Sequence, residues 1–437
     1  MNAQARPLHT GKHSWVVEAN YLDCDFPLDN LPLGLFRDED GADYAIGVAI
    51  GDQVLDLGQA SRQGLIVDHG ALQQCVAEKS LNALFAQGNE AAARLRAQAI
   101  GLLEEGAVQR RAVEPCLRSL TGISLSVPFA VGDYTDFLAS YHHAFNVGSL
   151  YRPDNPVLPN FTSMPIAYHG RASTVVTSGE PVFRPEGLFK ASYDDALPTF
   201  GHTRKLDYEM EFGVFISKGN ARGAAIGVDE AQTHIAGVCL LNDWSARDIQ
   251  AWETQPLGPF LGKNFCTTIS PWVVTMEALA PYRIALGRDS AAPPAFGYLS
   301  SPADAANGAF EIHAQVRLLT AAMAREGLPS VVISQSMLNR DSYWTFAQMI
   351  AHHTVNGCNL RTGDLLGTGT LSGPTPGTEG SLLELTRGGK QPLVLPNGEQ
   401  RVFLEDGDEL RLSAYCQREQ GPRIGFGECA GRIVRGM

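Results

Sequence analysis

The sequence predicts a mainly β fold with some α-helix, divided into a small N-terminal unit and a larger C-terminal one. Three observations carry this. The chain has 437 residues, more than one hydrophobic core usually organises. Its 45 glycines and 25 prolines break it into short apolar runs separated by turns. Several runs alternate with a period of two, and helical periodicity is confined to a few stretches. Hydrophobic residues make up 44%, as in a globular protein. The net charge of −13 argues against nucleic acid and anionic membrane surfaces as partners, since both call for basic patches. No apolar run approaches the ~20 residues a membrane-spanning helix requires. Met1 to Val17 lacks the apolar core of a secretory signal. The eight cysteines are scattered without a Cys-x-x-Cys pair and read as reduced thiols of a cytoplasmic protein.

Residues 1–120 read as the smaller unit. Asn30-Leu31-Pro32-Leu33-Gly34 is turn-rich, and Tyr44–Ile50 and Gln53–Leu57 flank Gly51-Asp52 as a hairpin. Ser80 to Glu105 reads as helix, stopped at Gly106. This unit holds no cluster of reactive side chains and is expected to stabilise or assemble the protein. Residues 121–437 form the larger unit. Its tail is rich in strands, with tight turns at Pro396-Asn397-Gly398 and Asp406-Gly407-Asp408. Trp344 to Val355 is its clearest late helix.

Chemistry-bearing residues crowd between about 131 and 270. Asp133 to Ala144 reads as a short helix capped by Asp133, with Asp136 and His143 on one face, ~10 Å apart along the axis. That spacing suits a carboxylate and an imidazole base around a small substrate, but a polar helix surface fits as well. Arg152 lies in a loop, and Arg171 follows Tyr168; the arginines can clamp a carboxylate. Leu206–Ile216 reads as a strand with Asp207, Glu209 and Glu211 on one side. Neighbouring carboxylates repel unless a cation lies between them, and Mg²⁺ or Ca²⁺ takes oxygen ligands. The alternative is an acidic face in water. Asn242 to Thr254 reads as a helix with Asp243, Arg247, Gln250 and Thr254 on one polar stripe, either an anion site or a surface ion pair. The Gly258–Thr268 and Gly367–Pro374 turns lack phosphate-loop and dinucleotide spacing, so no nucleotide is expected. Glu384 sits in an apolar run and wants a partner, for which a histidine is one candidate.

Together these stretches resemble the fumarylacetoacetate hydrolase family. The resemblance is carried by Gly132-Asp133-Tyr134-Thr135-Asp136-Phe137, His143-Ala144, Tyr168-His169-Gly170-Arg171 and Glu209-x-Glu211. It continues through Asn242 to Gln250, Pro256 to Lys263, Val355 to Leu360 and Arg423 to Gly427, and covers Asn30 to the C-terminus. It implies an SH3-like N-terminal barrel, a C-terminal β-roll and a homodimer. It implies a Mg²⁺ or Ca²⁺ ion on Asp136, Glu209, Glu211 and Asp243. A second ion would involve Asp243, Thr267 and, through its carbonyl, Lys263. His143 would be the general base, oriented by Glu384, and Arg247, Gln250 and Lys263 would face developing negative charge. Arg152, Tyr168, Gln250 and Thr370 would contact substrate.

Leu138 and Thr254 stand where the family pattern has tyrosines, and Cys266 where it has glycine. The implied reaction is hydrolysis of a carbon–carbon bond of 4-fumarylacetoacetate to fumarate and acetoacetate, the last step of tyrosine and phenylalanine catabolism through homogentisate. The two missing phenols keep a related 3-oxo or acylpyruvate acid, hydrolysed or decarboxylated, in view.

Overall fold

A seven-stranded sheet runs through the middle of the protein, and its central strand, Met210–Ile216, is buried along its whole length. The structure is a computed structural model and describes residues 6–39, 41, 43–192, 194–289, 292–338 and 342–436. Across the sheet the order is Ile166–His169, Tyr134–Leu138, Leu365–Gly367, Met210–Ile216, Ile235–Asp243, Thr267–Ile269, Val175–Thr177. Most pairs are antiparallel. Leu365–Gly367 lies parallel to Tyr134–Leu138, and Thr267–Ile269 parallel to Val175–Thr177.

The central strand divides two apolar cores. Phe212, Val214 and Ile216 face one core with Trp344, Phe346 and Phe426. Phe215 turns the other way and shares a core with Leu33, Leu35 and Phe85 from the N-terminal part. Its ring stacks on Phe129 at 4.5 Å between centroids. Burying each such side chain contributes roughly 1.5–3 kcal/mol, so the strand is clamped from both sides.

The N-terminal part carries a five-stranded sheet ordered Leu117–Ser119, Gln53–Asp56, Ala45–Ile50, Leu33–Asp38, Ile123–Ser126. Its hairpin pairs Ile50 with Gln53 across Gly51-Asp52. A third large sheet is ordered Val331–Leu338, Ile312–Leu319, Glu409–Cys416, Ile424–Val434, Pro181–Phe183. The turn at Pro396-Asn397-Gly398 joins Leu393–Val394 to Gln400–Arg401. The late helix spans Phe346–Thr354 and starts on a capping box between Thr345 and Gln348. All eight cysteines are free thiols. Among the described residues, no helix is long and apolar enough to cross a membrane.

Three expectations about helices are corrected. Ser80 to Glu105 is not one helix. It divides into Asn82–Phe85 and Asn89–Leu103 at Gly88, whose φ of +89° is outside helical geometry. Asp133 to Ala144 is a strand followed by a helix, Tyr141–Tyr151, capped by Ser140. The run Tyr134-Thr135-Asp136-Phe137 satisfies its backbone groups from a neighbour on each side, which outweighs helical spacing. Asp133 caps nothing there and instead pairs with Arg361 at 2.5 Å. Asn242 does not open a helix either. Asn242 and Asp243 end a nine-residue strand, held by pairing to Thr268 and Thr267, and the helix begins only at Arg247.

Candidate active site

Sheet register brings the acids together. Asp136 lies opposite Gly367 on one side and Tyr168 on the other. Gly367 also pairs with Gly213, two residues after Glu211. Asn242 pairs with Met210, which sets Asp243 beside the start of the acidic strand. Ligand oxygens of Asp136, Glu209, Glu211 and Asp243 lie within 4.8 Å of one another, and all four residues are buried. A β-carbon added at Gly367 would collide with Asp136 Oδ1 and come 3.0 Å from Glu211 Oε2. Only a glycine leaves these carboxylates their places.

Leu206–Ile216 is not one strand: Leu206–Asp207 pairs with Ser245–Ala246 in a small separate sheet, Met210–Ile216 belongs to the seven-stranded sheet, and Glu209 lies in the break between them. The acids of this run are buried, which rules out the solvated-face alternative. Arg247 Nε donates to Asp207 Oδ2 at 2.9 Å and Nη1 to Glu209 Oε1 at 2.6 Å. Lys263 Nζ donates to Glu209 Oε2 at 2.5 Å and to Asp243 Oδ2 at 2.7 Å. Tyr168 donates to the same Asp243 oxygen at 2.6 Å, and Thr267 to Oδ1 at 2.9 Å. So Lys263 meets the acids through its ammonium, and Thr267 through its hydroxyl.

Burial opposes the charge on Glu209, but Lys263, Arg247 and His143 outweigh it and hold Glu209 well below the usual carboxylate range. Asp136 and Glu211 go the other way. Burial and then their acidic neighbours push both well above it. Both Glu211 oxygens are buried without a hydrogen-bond donor. Counting Asp207, five carboxylates thus share two cationic side chains, Arg247 and Lys263. An all-oxygen cluster short of positive charge fits a hard divalent cation.

Beside the cluster, His143 Nδ1 lies 2.8 Å from Glu384 Oε2. Glu384 also accepts from Asn146 Nδ2 at 3.0 Å, Ser372 Oγ at 3.0 Å and Ser381 Oγ at 2.8 Å. Burial works against its charge, but His143 and these donors outweigh burial and keep Glu384 below the usual range. With Nδ1–H donated to Glu384, Nε2 of His143 is the atom left to accept a proton.

A cavity of about 870 Å³ opens here, bordered by Asp136, His143, Glu209, Arg247 and Lys263. Leu138, Arg152, Tyr168, Gln250, Thr254 and Thr370 also face it. Glu211, Asp243, Thr267 and Glu384 stand behind this wall. Among the described residues that face the cavity, Arg247 Nη2 and Thr370 Oγ1 are buried without a partner. Asp136 and His143 reach the cavity from a strand and a helix, not from one helical face. Arg247 and Gln250 share the helix Arg247–Glu253, with Thr254 at its C-terminal end and Asp243 outside it. Sequence reading missed Asn146, Ser372 and Ser381. Ser381, three residues before Glu384, has the Ser-x-x-Glu spacing of a helix N-terminus and could have been found from it, whereas Asn146 and Ser372, 238 and 12 residues away, carry no such signal.

Comparison with known proteins gives the family of the chain. Residues 29–128 match the family described as Fumarylacetoacetase N-terminal, and residues 133–434 the one described as Fumarylacetoacetate (FAA) hydrolase C-terminal. The chain is 45% identical over 422 residues to a fumarylacetoacetase of Arabidopsis thaliana, covering 94% of this chain and 96% of the relative. It is 41% identical over 424 residues to a fumarylacetoacetase of Homo sapiens, covering 94% and 97%. A solved fumarylacetoacetate hydrolase from Exiguobacterium antarcticum shares the fold, with a TM-score of 0.50, 16% identity, and 92% and 99% coverage. The protein is therefore an enzyme, and its class is that of the hydrolases. More narrowly, the chain belongs to the fumarylacetoacetate hydrolase family.

Proposed function

We propose that this enzyme hydrolyses the carbon–carbon bond of 4-fumarylacetoacetate to fumarate and acetoacetate, as the last step of tyrosine and phenylalanine breakdown through homogentisate. One observation carries the reading: His143, backed by Glu384, borders the same cavity as Asp136 and Glu209 of a buried four-carboxylate cluster. Asp136, Glu209, Glu211 and Asp243 would hold a Mg²⁺ or Ca²⁺ ion, which when bound supplies Lewis-acid polarisation of a substrate carbonyl. His143 takes a proton from water at Nε2, and the hydroxide adds to that carbonyl carbon. The carbon–carbon bond breaks, its electron pair leaves with the acetoacetate fragment, and the His143 proton returns to that carbon. Glu384 fixes the imidazole tautomer and steadies the imidazolium. Arg247, through its unpartnered Nη2, faces the developing negative charge together with Gln250 and Lys263. Arg152, Tyr168 and Thr370 orient the carboxylates and carbonyls of the substrate.

Leu138 and Thr254 give part of the cavity wall an apolar and a short side chain. They favour testing a second reading, a related 3-oxo or acylpyruvate acid. The experiment is a Mg²⁺- or Ca²⁺-supplemented assay that follows loss of fumarylacetoacetate absorbance and release of fumarate, with an acylpyruvate in parallel. Fumarate release at a rate well above the acylpyruvate's supports the proposal; turnover of the acylpyruvate alone transfers it to the second substrate. We read the working form as a homodimer with a domain boundary near residue 120, which sedimentation and limited proteolysis test.

A further inference from the structure

Of the three acids in the run Leu206–Ile216, Asp207 neither joins the carboxylate cluster nor lines the cavity. It is fully buried, with 0% exposure. Both of its oxygens are nonetheless saturated. Oδ1 accepts from the backbone N–H of Tyr208 and of Leu382, each at 2.8 Å. Oδ2 accepts from the N–H of Leu383 at 3.0 Å and from Arg247 Nε at 2.9 Å.

These donors come from two sides of the site. Leu382 and Leu383 open the short helix Leu382–Leu385, whose third residue is Glu384. The N–H groups of its first two residues have no partner within the helix, and Asp207 takes both. Arg247 begins a second helix, Arg247–Glu253. Asp207 holds its Nε, Glu209 holds its Nη1, and Nη2 is left over.

We propose that Asp207 is a positioning residue that ties the Glu384 helix to the Arg247 guanidinium, so that His143 and Arg247 address one substrate; this rests on the hydrolytic reading above. An aspartate is required by the count of acceptors. An asparagine has one oxygen and one amide nitrogen. That nitrogen would meet either the Tyr208 and Leu382 N–H groups or Leu383 N–H and Arg247 Nε, donors against a donor.

The test compares the Mg²⁺-loaded wild type with Asp207→Asn, alone and combined with Glu384→Gln. Asp207→Asn lowers kcat by about tenfold or more, because misplacing a catalytic group by even about 1 Å is costly. In the Glu384→Gln background the same change costs less than it does in the wild type, since the part of the loss that acts through Glu384 is already gone and only the part through Arg247 remains. The low-field proton resonance of His143 Nδ1–H, assigned by its absence in His143→Ala, shifts or broadens in Asp207→Asn. Unchanged kcat, or a fully additive loss with that resonance unmoved, overturns the proposal. If Asp207→Asn does not fold, Asp207→Glu, which keeps the charge but displaces both oxygens by one methylene, takes its place with the same expectations. Should the wild type fail to release fumarate, the hydrolytic reading falls, and the resonance alone decides the role of Asp207.

Discussion

Gly367→Ala is the substitution that most directly tests whether the four carboxylates hold a cation. The new methyl would overlap Asp136 Oδ1 and come 3.0 Å from Glu211 Oε2 and 3.1 Å from Tyr134 Oη. Asp136 would have to retreat by about 1 Å, a large displacement for a ligand set in which metal–oxygen distances run roughly 2.0–2.6 Å. Disturbing the support of a metal ligand typically costs 10–100-fold in affinity, or about 1.4–2.8 kcal/mol at 1.4 kcal/mol per tenfold. Isothermal titration with Mg²⁺ and with Ca²⁺ measures that loss without reference to catalysis. Activity lost by Gly367→Ala should return in part at high metal concentration. Gly201→Ala is the control, because a β-carbon there has nothing within 4 Å. An unchanged Kd in Gly367→Ala, or an equal loss in Gly201→Ala, refutes the reasoning that the cluster binds a cation.

His143→Ala should abolish turnover while Kd for the metal stays near wild type; near-wild-type turnover removes His143 as the base. Arg247→Ala leaves Asp207 and Glu209 buried with one cation fewer, so it should destabilise the fold by about 3–5 kcal/mol in urea unfolding. A loss under about 1 kcal/mol would show that the pair is not buried in solution. Glu384 gives a pH prediction with a definite sign. Its carboxyl is held below its ordinary value, so its stabilisation is complete above the unfolded value near ~4.3 and is lost as pH falls from there through the lower folded value. Glu384→Gln should therefore flatten the acid side of the stability–pH curve, and parallel curves for the two proteins would contradict that.

The acids that converge were legible before the fold, because Glu209 and Glu211 stand two apart in an alternating run, although the strand itself begins only at Met210. Glu384 was legible as a carboxylate needing a partner, and the structure supplies His143. The paths to the site were harder to read. Asp136 and His143 stand seven residues apart, which suits a helix, and only pairing to Leu365–Gly367 and Ile166–His169 makes the first half a strand. Local spacing cannot contain a partner more than 200 residues away. The same reason hid Asn146, 238 residues from Glu384, whereas Ser381 stands three residues before it in a Ser-x-x-Glu spacing that was there to be read. Asp207 was visible as one of three acids, but its link to Leu382 and Leu383 joins positions more than 170 residues apart.

The opposed faces of the central strand bear on how this protein comes apart. Phe215, Cys239 and Leu241 are covered by side chains from the first third of the chain, whereas Phe212 and Leu240 are covered by the last third. Stripping away the first third would leave a greasy scar directly behind the strand that carries Glu211. Melting is thus expected to be a single event rather than two, and a shortened version lacking that portion should clump before it can be assayed.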